Sequence, residues 1–568
     1  MARRSTPALD RLLDLKFVFG AVGRKKKLAL LGRLETESMP DADTVFQLHE
    51  HLCFMRAYPD DRRLLAKVES LLSHFEERED LRLHRRELVN SGIAGTEIHF
   101  PFFWFTLRWL AERWPDRLRI DWAALRGKYR ARFLERFSMI LPYVETLALE
   151  EAAATTREWV ELLKGPDETD AEFLVKRYAA LQAPSMARER IFEEQEIPFR
   201  LLPGPDTPCA TRGRFESSPV VFQKRPLVRG RESFRTELER KPPDAVRMGR
   251  RDARRLIDMA RTLMVARTRD LDAFANADEN DVRVLDYPGG FQLVYYGTIP
   301  ERRQVLDAAY GMLMLRNGVT IGYVLSAALF DSAEVAYNVS PAFRGAEAAH
   351  LYAQCLNAVR GLFHADTFMV DPYQMGHGNP EGLRSGAWWF YYKLGFRPRD
   401  PKIAGMAEDE QKRVRKQRGY RSSIAKLDRL SSENMYLDLG GPRADVIGEF
   451  ARDNVGLKIV RYLAERFGGD RERGIETCSR EVARLLGLRS LRSLSEGERL
   501  AWDRWAPLVL LLDGVETWSK RDRQAAAAVI RAKGGRRESD FVDRFDRHTR
   551  LRAAVLELAA APPEGYQP

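Results

Sequence analysis

VAYNV (Val335–Val339), SPAFRGAEAAHLY (Ser340–Tyr352), TFMVDPY (Thr367–Tyr373) and SGAWWFYYKLGF (Ser385–Phe396) follow one another within Val335–Pro398. Read in order they predict a strand, a turn carrying Arg344-Gly345, an amphipathic helix, a second strand, and an aromatic helix closed by Lys393-Leu394-Gly395-Phe396. The helix follows from Leu351, Tyr352, Cys355, Leu356, Val359, Leu362 and Phe363, which recur at three- and four-residue steps and so share one face. A period of two along the first strand sets Glu334, Ala336 and Asn338 on a common face. Cys355 falls on the apolar face of the helix and reads as a small buried hydrophobe.

Upstream, VRVLDYPGGFQLVYYGTI (Val282–Ile299) holds a Pro-Gly-Gly turn between apolar runs, and GMLMLRNGVTIGYVL (Gly311–Leu325) places Asn317-Gly318 between two strands, a strong hairpin signal. Before these strands, 197–245 is a basic, proline-rich connector. From Asp43 to Leu181 apolar residues such as Leu64, Leu65, Val68, Leu71, Leu72 and Phe75 keep helical spacing, and helical spacing returns after Pro401. The expectation is an α+β multidomain chain: a helical domain at 1–196, the connector, a mixed-sheet domain at 246–401, and a second helical domain at 402–568.

With 568 residues the chain exceeds what one hydrophobic core serves. Lys and Arg number 93 against 82 Asp and Glu, a net charge of +11 that suits an acidic or phosphate-bearing partner. Cys209–Arg255 concentrates this, with 14 basic against 6 acidic residues. Four scattered cysteines exclude a disulfide framework and fit a reducing cytoplasm. No apolar run is long enough to cross a membrane, and the aromatic stretch His99–Leu110 reads as a buried helix or strand. P-loop, HExxH and GxSxG patterns are absent, and His49-Glu50-His51 lacks the spacing of two metal ligands on one helix face.

The strand–turn–helix–strand–helix order resembles the core of the GNAT superfamily of N-acetyltransferases, over about a quarter of the chain. In that family a turn of form Q/R-x-x-G-x-G/A holds the pyrophosphate of coenzyme A; Arg344 matches its first position and Ala349 its last, while Glu347 replaces the glycine between them. The resemblance implies acetyl-CoA or another acyl-CoA as cofactor. Arg344, Gly345, Ala346, Ala348 and Ala349 would bind its pyrophosphate, the main chain of Asn338 and Val339 its pantetheine arm, and Arg384 would stand where the family often has an asparagine. It further implies Tyr391 as the acid that protonates the departing thiolate and Glu334 as the base that takes the amine proton. Asp371 and His377, at the loop after the second strand, are candidate substrate-binding residues, and no metal is expected.

A carboxylate at Glu347 stabilises the helix start by about 0.3 to 1 kcal/mol, yet repels a diphosphate there. An acyl carrier protein is therefore an alternative donor, its acidic surface matched by the arginine-rich connector. The activity expected is acyl transfer from a thioester to an amine. The alternative is a non-catalytic binding protein of the same fold that uses its basic segments for nucleic acid or an acidic protein.

Overall fold

In this computed structural model residues 6–151, 154–215, 219–228, 231–345 and 347–563 are described. The chain forms two compact units: 1–226 with 254–276 and 315–321, and 227–253 with 277–314 and 322–568.

Helix α1 (Ala42–Ala57) of the first unit opens with a capping box, in which the Asp41 carboxylate accepts from the Thr44 N–H and the Thr44 hydroxyl accepts from the Asp41 N–H. Most of α1 is buried, so its charged residues need internal partners. Glu50 takes Arg267 at 3.1 Å, and Arg56 donates to the Thr211 carbonyl at 2.6 Å. The unit is not purely helical. Three-residue strands β1 (Ile98–Phe100), β2 (Leu118–Ile120) and β3 (Phe199–Leu201) form an antiparallel sheet in the order β1-β3-β2. Such short strands carry too few residues for a period to be read. His99–Leu110 divides into β1 and the helix Trp104–Arg113, with Trp104, Leu107 and Leu110 buried.

The second unit is built on a nine-stranded mixed sheet. Its strands are β4 (Val246–Arg247), β5 (Ala277–Tyr287), β6 (Phe291–Thr298), β7 (Ala308–Arg316), β8 (Val319–Leu329), β9 (Ser332–Val339), β10 (Thr367–Val370), β11 (Arg397–Pro398) and β12 (Met435–Asp438). They lie in the order β11-β12-β10-β9-β8-β7-β6-β5-β4. The β7–β8 turn is the Asn317-Gly318 turn foreseen from sequence, with φ of 49° and 75°, which a β-hairpin turn of the primed type requires. Residues 315–321 at its tip belong to the first unit, where Phe215 N–H donates to the Gly318 carbonyl at 2.9 Å.

Three further helices matter for the site: α2 (Phe234–Glu239), α3 (Ala348–Phe363) and α4 (Ala387–Leu394). Leu351, Tyr352, Cys355, Leu356 and Val359 of α3 are all buried, as their common face demands. Helices from Arg452 to Ala559 belong to the same unit as the sheet. Phe541, Phe545, Trp502 and Trp505 form their apolar interior, and the buried Lys533–Glu538 pair is backed by Arg303, which donates to the Lys533 carbonyl at 2.8 Å. The region after Pro401 also supplies β12, which pairs antiparallel with β10 on one side and β11 on the other. Among the described residues no helix is long and apolar enough to cross a membrane.

Candidate functional site

β9 runs parallel to β10, with Ser332, Ala333 and Glu334 opposite Thr367, Phe368 and Met369. Beyond Glu334, β9 runs on to Val339 and stays registered on β8, from Val335 opposite Ser326 to Val339 opposite Gly322. β10 stops at Val370 because Pro372 brings no N–H, and the Asp371 carboxylate turns back to accept from the Tyr373 N–H at 2.8 Å. One edge of β9 thus leaves its neighbour after three residue pairs. On the other edge of β9, β8 packs closely at Gly322: a methyl group there would lie 2.2 Å from the Asn338 carbonyl oxygen.

On the α3 side of β9, Tyr337 donates to the Ala348 carbonyl at 3.3 Å, and its ring centroid lies 4.9 Å from that of Tyr352. Tyr391 from α4 sits in the same group, 5.6 Å from Tyr352 and 5.8 Å from Phe396. It is 3% exposed, and its hydroxyl has no hydrogen-bond partner among the described residues. Burial raises its pKa, so the phenol is neutral and a proton donor. The sequence pointed to Tyr391 alone; Tyr352 and Phe390, which pack against it, gave no signal beyond apolar periodicity.

Glu334 alternates with Val335 and Tyr337, which puts it on the opposite face of β9 along with Asn338. Burial, and then the nearby Asp371 carboxylate, raise its pKa above the ordinary glutamate range. Val339 presents a carbonyl toward the turn, where Arg344 Nε donates to it at 3.0 Å. The second edge of the Arg344 guanidinium pairs with Glu381 at 2.7 Å. Gly345 adopts φ of 125°, which suits glycine, and Ala346 lies outside the described residues. Glu347 is the N-cap of α3 with its side chain 6% exposed, while Ala348 and Ala349 begin the helix. A carboxylate is therefore enclosed at the positive pole of α3. His377 lies apart, exposed and 3.3 Å from Asp428; Arg384 is exposed on the helix before α4.

A separate constellation sits on α1 in the first unit. His49 Nδ1 is 3.4 Å from Glu50, and His49 Nε2 is 3.8 Å from Cys53 Sγ and 2.8 Å from the Thr211 hydroxyl. Burial disfavours a charged His49 ring, but Cys53 and Glu50 push it up to about 9. Burial likewise raises the Cys53 thiol, and His49 and Arg56 outweigh it to hold the thiol below its usual value. One donor atom from each of His49, Glu50 and Cys53 lies within 4.8 Å of the others, so the buried cluster both shares protons through the imidazole and has the spacing of three ligands to one metal ion. The i, i+4 spacing of His49 and Cys53 was the only sequence sign of it.

No protein-family model, no curated protein and no solved structure matches the chain.

Proposed function

We propose that the second unit is an N-acyltransferase of GNAT type, moving an acyl group from a thioester to an amine. The observation that carries this reading is the parting of β9 from β10 after three residue pairs, together with a buried Tyr391 whose hydroxyl has no hydrogen-bond partner among the described residues. An extended thioester arm running along the free edge of β9 could bond its main chain as an added strand does. The amine nitrogen attacks the thioester carbonyl carbon, Glu334 accepts the amine proton, and the carbon–sulfur bond breaks. Tyr391 then protonates the departing thiolate, leaving an amide and a thiol. A base whose pKa is raised by burial and by Asp371 suits this role.

The donor is better carried on an acyl carrier protein than on coenzyme A. At the start of α3, Glu347 encloses a negative charge where a diphosphate would lie, and Arg344 is held by Val339 and Glu381. Thiol release from acylated carrier protein and from acyl-CoA, each with a panel of amines, tests both statements. Release from the carrier that depends on amine and falls in Tyr391→Phe is expected; no release from either donor removes the transferase reading. A non-catalytic binding role is the second reading, favoured by the rings of Tyr352, Phe390 and Phe396 packed around Tyr391. It predicts that Tyr391→Phe changes nothing measurable with either donor.

A further inference from the structure

We infer that the hollow bounded by α2, the C-terminal end of α4 and β12 binds a small organic phosphate. This pocket has a volume of about 390 Å³, within the range of small-molecule sites and too small for a polymer. Four cations line it: Arg231, Arg235, Lys393 and Arg397.

Their charges are poorly matched inside the protein. Arg235 has a carboxylate, Glu239, at 2.6 Å. Arg231 reaches only the Lys393 carbonyl, at 3.4 Å. Arg397 lies over the Tyr392 ring, its centre 4.1 Å from the ring centroid, and donates to the Tyr392 and Phe396 carbonyls at 2.7 Å. Arg231, Lys393 and Arg397 have no carboxylate partner among the described residues. Asp438 also lines the hollow, and its Oδ1 is held by Arg399 at 2.8 Å and by the Thr367 hydroxyl at 3.1 Å. Lys393 bears the consequence: partial desolvation of its largely exposed ammonium, and then repulsion from Arg231, lower its pKa.

A lysine in the last turn of a helix is ordinarily explained by the helix dipole. That account covers Lys393 but not Arg231, which approaches from outside α4, nor Arg397 beyond its end. A phosphate dianion offers three acceptor oxygens to donors converging from different elements, as this lining provides. Buried Phe234, Leu238 and Leu437 complete the wall and give an organic body apolar surface to rest on. None of these residues belongs to the proposed acyl-transfer site, so either reading can fail alone.

Calorimetry on the full chain tests the inference, with adenosine 5′-monophosphate, glycerol 3-phosphate, inorganic phosphate and adenosine as probes. Saturable binding of at least one organic phosphate is expected, weaker for inorganic phosphate, absent for adenosine, and diminished by added salt. Arg231→Gln with Lys393→Gln should weaken it at least ten-fold; both side chains are exposed, so folding is retained. Lys393→Glu should abolish it. No binding of either organic phosphate at millimolar concentration overturns the inference. Equal affinity in the wild type and the double variant does the same, as does binding of inorganic phosphate alone.

Discussion

The first turn of α3 and the far end of α4 both gather positive potential, and they handle it in opposite ways. At α3 the helix pole meets the enclosed Glu347 carboxylate, and Arg344 is paired with Glu381 at 2.7 Å. At the end of α4, Arg231, Lys393 and Arg397 face one hollow with no carboxylate of their own among the described residues. The first region resembles an anion-binding turn in sequence, with Glu347 in place of a glycine, and already encloses a carboxylate. The second has no motif and lacks one. Internal charge balance, more than motif order, marks where an outside anion gains most by binding.

The severest way to break this contrast is to remove the helix that links the two regions. Trp388 is fully buried and stacks on Tyr392 at 4.8 Å, so Trp388→Ala should cost about 3 to 5 kcal/mol and shift the unfolding midpoint in denaturant by a corresponding amount. Next in size, Tyr391→Phe keeps the ring and deletes only the hydroxyl. Thiol release should fall about ten-fold or more with the melting temperature unchanged, and equal rates would separate Tyr391 from chemistry.

Glu347→Gln sharpens the contrast directly. Removing the negative charge at the pole of α3 should tighten coenzyme A binding by roughly five-fold in calorimetry, leaving phosphate binding at the end of α4 as it was. An unchanged affinity for coenzyme A would show that Glu347 does not repel a diphosphate. The smallest effect concerns Glu334, whose folded pKa is raised above 4.5. The unfolded chain then releases its proton first as pH rises. The stability this group adds is complete below 4.5 and is lost as pH climbs through the raised value. Glu334→Gln should therefore melt slightly higher than the wild type at neutral pH while transferring acyl groups more slowly. In the wild type, transfer should decline on acidification at a pH above the usual glutamate range.

Local sequence carried much of the second unit. The β7–β8 turn, whose tip belongs to the first unit, was announced by Asn317-Gly318 because two consecutive positive φ values suit few other residue pairs. The apolar face of α3 was legible because a helix of 16 residues repeats its pattern several times. β12, with four residues, and β1, with three, repeat too little to be told from loop or helix. Tyr391 could be singled out by its motif, but its enclosure by Tyr352 depends on α3 and α4 meeting, and Tyr352 in turn rests on Tyr337 of β9.

By itself the sequence determined the strand, turn, helix, strand and final helix from Val335 to Phe396, since propensity and periodicity act between near neighbours, but not the short helices Pro372–Met375 and Pro380–Ser385 between the last two. Tertiary structure alone decided where β9 leaves β10, which face Glu334 takes and whether a cation finds a counter-charge. Arg231 and Lys393 are 162 residues apart in the chain, and only folding brings their charges close enough to repel.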